Sequence, residues 1–93
     1  MKLDDAIIEI SKSKDDQEAI FAKRPWDPNS EATIAYLNEE LGVPSDLKSE
    51  GYDYFLEKPL VVNFLEAKFE RDMDDKSFVD FVIHYAVNDA FSD

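Results

Sequence analysis

Two prolines, Pro25 and Pro28, constrain this chain more than any other feature of its 93 residues. They forbid helix through Lys23–Ser30 and push the residue before each towards extended geometry. The same stretch holds the single tryptophan, Trp26, with the Lys23-Arg24 pair on one side. Apolar runs flank it, so it reads as a connection that reverses the chain between two strands. The first run is ambiguous, because Asp15 and Glu18 are spaced like a capping box. A helix there would meet Arg24-Pro25 after barely two turns, so a strand through Ala19-Ile20-Phe21-Ala22 is expected, with Phe21 as its main core side chain. The second run, Ala32 to Leu37, could be a helix capped by Ser30 and ended by Gly42 and Pro44. Thr33, Ile34 and Tyr36 favour a pleated surface instead, and the reading takes the strand, followed by a polar turn at Asn38-Glu39-Glu40.

The remaining elements follow from spacing. Leu3, Ala6, Ile7 and Ile10 fall on one helical stripe, with Asp4, Asp5 and Glu9 off it, predicting a short amphipathic helix from Leu3 to Lys12. Its acids in the first turn and Lys12 in the last suit the helix dipole. Val43 to Gly51 allows one helical turn. Tyr52 to Glu57 alternates, with Tyr52, Tyr54 and Leu56 pointing one way and Asp53, Phe55 and Glu57 the other. Pro59 suits the start of a helix that sets Leu60, Val61, Phe64 and Leu65 on one face and Asn63, Glu66 and Glu70 on the other. A charged turn, Arg71 to Asp75, separates it from a last helix over Lys76 to Phe91. There Phe78, Val79, Phe81, Val82, Ile83, Tyr85, Ala86, Val87 and Ala90 cover most of the circumference, which points to a central core element. The expectation is a single α+β domain, residues 1–93: an N-terminal helix, a small three-stranded antiparallel sheet, and two C-terminal helices packed on one face.

Charge narrows the function. Twenty-two acids against ten bases leave −12 at pH 7, beyond the magnitude of about 2–8 that solubility asks of a small domain. Such a field repels nucleic acid and anionic membrane and attracts basic proteins. Five acids and no Lys or Arg lie between Pro25 and Leu47, and seven acids face two bases between Glu70 and Asp93. Cysteine is absent, so disulfides and thiolate metal sites are excluded. No run approaches the roughly 18 apolar residues of a spanning helix, and acids stand where a signal peptide would carry cations. A cytoplasmic location is expected.

Catalytic chemistry finds little to work with. Asp80 and His84 have the i, i+4 spacing of an acid–imidazole pair, but no Ser or Cys nucleophile sits in a recognisable motif, and a surface pair explains the spacing equally. Asp72-x-Asp74-Asp75 lacks the glycine and the bidentate glutamate of a calcium loop; Asp74 or Asp75 as the N-cap of the last helix is the better reading. Two glycines, Gly42 and Gly51, make no phosphate cradle. Asp89 falls within the apolar arc of the last helix and is the odd residue there. No enzyme, metal or cofactor is expected.

The run His84-Tyr85-Ala86-Val87-Asn88-Asp89-Ala90-Phe91 resembles the ending of small bacterial immunity-type domains, among them immunity proteins of contact-dependent growth inhibition. Such domains close on an aromatic pair, two variable residues and Asn/Asp-Asp-Ala-Phe. The order of an aromatic strand, a Trp turn, a second strand, Val-Pro, a Gly, a Tyr-rich strand and two helices is similar over residues 18–92. His84 departs from the pattern, standing where an aromatic is usual. The resemblance implies a binding protein that neutralises the toxic C-terminal domain of an effector, often a nuclease. With the acidity, it gives the expected function: an immunity protein docking on a basic partner. Trp26 would be the anchor, ringed by Asp27, Glu31, Glu39, Glu40 and Asp46, with Asp72, Asp74, Asp75 and Asp80 as a second surface. The alternative is an acidic nucleic-acid mimic that blocks a DNA-binding enzyme, which calls for acids spaced like phosphates along one elongated face.

Overall fold

The stripe of Leu3, Ala6, Ile7 and Ile10 becomes the most deeply buried helix of the protein: all four are fully buried. The structure, a computed structural model, describes residues 1–90, with side chains described through Asn88. The order is α1 (Leu3–Lys12), β1 (Glu18–Ala22), β2 (Ala32–Tyr36), α2 (Ser45–Ser49), β3 (Asp53–Glu57), α3 (Lys58–Glu70) and α4 (Asp75–Ala90). The expected α+β architecture is present, and both ambiguous runs are strands. Asp89, Ala90 and Phe91, which carry expectations about the end of the last helix, lie outside the described side chains.

The sheet is antiparallel in the order β2-β1-β3. The Trp26 segment joins β1 to β2, with Ala22 opposite Ala32 and Glu18 opposite Tyr36. Strand β1 is central and apolar on both faces, since Ala19 to Ala22 are all fully buried. Ile20 and Ala22 face the main core, shared with α1, α3 and α4. Ala19 and Phe21 face a smaller core closed by Tyr52, Leu37, Val43 and Leu47. A helical layer thus covers one face, and the chain around α2 covers the other.

Three sequence expectations are corrected. The alternation of β3 breaks: Ile20 pairs with Leu56 but Phe21 pairs with Tyr54, so Phe55 is an extra, bulged residue. A β-bulge turns neighbouring side chains to the same side, so Phe55 and Leu56 both enter the main core while Tyr52 and Tyr54 serve the smaller one. Helix α4 is not the centre. It buries Phe78, Val79, Val82, Ile83 and Ala86, but Tyr85 remains 50% exposed and Phe81 and Val87 half-exposed, because α1 lies between it and the sheet. In α3 the predicted face packs on the main core through buried Val61 and half-buried Phe64 and Leu65, but Leu60 turns away and is 39% exposed. The α3 start adds one residue the spacing did not mark. Lys58 is buried, and its ammonium donates to the backbone carbonyl of Ser13, satisfying a charge that would otherwise be costly to bury.

Candidate functional site

The turn after β1 is built by its own polar atoms. The Asp27 carboxylate accepts the Asn29 N–H at 2.7 Å, and the Ser30 hydroxyl donates to the Pro25 carbonyl at 2.6 Å. The Arg24-Pro25 peptide is cis. Trp26 is half-buried. Its ring meets Phe55 edge-on at 4.9 Å, its indole N–H donates to the Ala22 carbonyl at 3.3 Å, and the Arg24 guanidinium lies 4.1 Å from its centre. A tryptophan held on these sides closes the edge of the main core and leaves an apolar hollow of about 400 Å³ beside Arg24, Pro25 and Val87.

The ring of acids expected around Trp26 does not form. Glu31 pairs with Lys23 at 3.0 Å, and the hydrogen bond from that ammonium holds its carboxyl below the usual glutamate range. Arg24 pairs with Asp53 at 3.1 Å, so both cations of the basic spot are engaged. Glu39, Glu40 and Asp46 are exposed on the segment that closes the smaller core, whose Leu37, Val43 and Leu47 pack on the sheet face opposite the one Trp26 joins. The packing of Leu37, Val43 and Leu47 on the smaller core carries them there, away from Trp26 despite their closeness in the chain.

A different grouping emerges at the N-termini of α1 and α4. The first backbone N–H groups of α1 need partners from outside the helix. Leu3 N–H donates to the Ser30 carbonyl at 2.8 Å and Asp4 N–H to the Pro28 carbonyl at 3.1 Å, which pins the tryptophan turn against α1. Asp74 caps α4, its carboxylate accepting the Ser77 N–H at 2.8 Å; that bond lowers its carboxyl from the ordinary aspartate value. Between the two helix starts and Pro28 lies an open cleft of about 380 Å³, lined by Asp4, Asp5, Asp75 and Asp80 with Lys76, over a floor that includes Ile8 and Val79. Asp75 also accepts from Lys68 at 2.7 Å, and this bond holds its carboxyl low.

Of the residues expected from the sequence, Asp75 and Asp80 therefore line the cleft and Asp27 precedes the Pro28 on its rim. Asp74 is occupied as a cap, and Asp72 sits exposed in the α3–α4 turn with φ +51°. Asp4 and Asp5 belong to the cleft but were legible in the sequence only as first-turn acids; the link that assigns them, Asp4 to Pro28, spans 24 residues. His84 does not pair with Asp80: its Nε2 accepts from the Asn88 amide at 2.8 Å. Among the described residues, no three His, Asp or Glu side chains are placed to hold one metal ion, so the cleft aspartates are spread along its walls. An array of carboxylates over an apolar floor can receive ammonium or guanidinium groups attached to an apolar body. Comparison with family models, with curated proteins and with solved structures finds no match to this chain.

Proposed function

We propose that this protein is a cytoplasmic binding protein of the immunity type, which neutralises a basic toxin domain by seating it on the aspartate cleft between α1 and α4. One observation carries the reading: Asp4, Asp5, Asp75 and Asp80, drawn from two distant parts of the chain, converge over Ile8 and Val79. The net charge of −12 supplies a long-range field that speeds encounter with a basic partner and is weakened by salt. The α1 and α4 N-termini set the positive ends of their dipoles beside the first-turn acids Asp4, Asp5 and Asp75. The resemblance of His84 to Phe91 to immunity-type domains points the same way, and no helix among the described residues is long and apolar enough to cross a membrane.

Co-expression with the toxin encoded beside this chain's gene tests the proposal. Growth is rescued by the parent chain, lost with Asp4→Lys and Asp80→Lys together, and kept with Glu39→Lys and Glu40→Lys together. Cell death despite soluble parent chain overturns the toxin reading. If protection instead extends to an unrelated DNA-binding enzyme, and fades in step with the acids removed from any face, the chain is a nucleic-acid mimic.

A further inference from the structure

Strand β2 forms one edge of the sheet, and its hydrogen-bonding groups alternate between β1 and the outside. Lys23 N–H donates to the Glu31 carbonyl at 2.9 Å, which turns Glu31, and by alternation Thr33 and Ala35, towards β1. Ala32 faces outward, where its N–H donates to the Met1 carbonyl at 2.8 Å and its carbonyl accepts from the Met1 nitrogen at 3.1 Å. Met1 and Lys2 thus make an isolated bridge along the first part of this edge, with Lys2 opposite Glu31. Ile34 and Tyr36 are the next outward-facing residues, and among the described residues no backbone group bonds to theirs. The edge carries none of the usual protections: Ala32-Thr33-Ile34-Ala35-Tyr36 has no charge, no proline and no bulge on that side.

A groove runs beside this edge. It is lined by Glu9 and Lys12 from the second half of α1, by Ser13 just beyond it, and by Met1, Glu18 and Ile34, and its volume is about 560 Å³. Tyr36 is 56% exposed, and its hydroxyl donates to the Asp15 carboxylate, bringing a third acid to the rim with Glu9 and Glu18 against Lys12 and the Met1 ammonium. A second copy of the chain would bring another −12 to this edge, so charge disfavours pairing of two β2 strands. The acids favour a cationic visitor instead.

We infer that the β2 edge docks an extended peptide segment of a partner protein, one alternating Lys or Arg with apolar residues. It would pair with the outward groups of Ile34 and Tyr36 and lay its groove-side residues over Ile34 between Glu9 and Glu18. Backbone pairing supplies affinity in such strand addition, and the side chains on alternate positions supply selection. The site lies at the opposite end of α1 from the aspartate cleft and stands whether or not the cleft binds a toxin.

The test uses the full chain and an array of hexapeptides alternating lysine with valine, isoleucine or threonine. A bound peptide slows hydrogen exchange at the Ile34 and Tyr36 amides by about tenfold or more, while amides of the Asn38–Gly42 turn keep their rates. Tyr36→Pro, which removes an outward N–H and no bond to β1, weakens binding by about tenfold or more, whereas Glu39→Gln in the turn beyond the strand binds like the parent. The same peptide N-methylated at its central residue fails on the parent chain, which keeps the test independent of how Tyr36→Pro folds. The proposal is overturned if no peptide binds, if shifts are confined to α4, or if the Ile34 and Tyr36 amides become protected as the chain alone is concentrated.

Discussion

Tyr54 and Trp26 show how neighbours decide what a residue does. Tyr54 is half-buried against the smaller core, and its hydroxyl donates to Glu57 at 3.3 Å. Burial first, and the Glu57 charge second, push its phenol up to about 12. A raised folded value means that the folded chain keeps a proton the unfolded chain gives up near pH 10. The stabilisation is therefore complete below about pH 10 and disappears as the pH rises through about 12. Urea midpoints measured across that window should fall with pH, and Tyr54→Phe should flatten part of the fall; an unchanged slope would show that the phenol is solvated. Trp26 could be singled out from sequence because it is the only tryptophan in a two-proline turn. Its partners could not, since Phe55 and Val87 come from elements 29 and 61 residues away in the chain.

At the scale of elements, hydrophobic period carried most of the information. A stripe at 3.6 spacing marked α1 from Leu3 to Lys12, and β-branched and aromatic content chose strand for β2 over its plausible caps. The period could not reveal a bulge, because Phe55 breaks the alternation only through pairing with β1. Nor could an apolar arc on α4 say which part would be covered, since α1 occupies the centre that the arc suggested. The smaller core is the element-level feature with the clearest test. Phe21 is fully buried there, and Phe21→Ala should cost about 3–5 kcal/mol, the usual loss when a buried phenylalanine leaves a cavity. Chemical denaturation read by tyrosine and tryptophan fluorescence checks it. A loss well under 1 kcal/mol would mean that the chain around α2 does not close that face.

Across the whole molecule, like charge is the governing strain. Three ion pairs form among the described residues, and exposed pairs contribute little, so they do not offset a net charge of −12. Self-repulsion destabilises a compact chain of one sign. Salt should therefore raise the urea midpoint of the free protein while weakening the association with a basic partner proposed above. The opposite signs separate repulsion within the chain from attraction between chains. A midpoint that falls with salt would show the three pairs to dominate.

The sequence by itself determined the elements, the α+β class, the sign of the field and the turn at Trp26, because each depends on residues close together in the chain or on composition summed over it. The tertiary structure decided which acids stand together, which helix is central and which edge is open. Asp4 and Asp80 line one cleft only because α1 packs against α4. Glu39, Glu40 and Asp46 part from Trp26 because the turn and α2 that carry them fold over the smaller core, on the sheet face opposite the one Trp26 joins. Such long-range pairings are fixed by hydrogen-bond satisfaction and packing in three dimensions, for which spacing along one dimension carries no record.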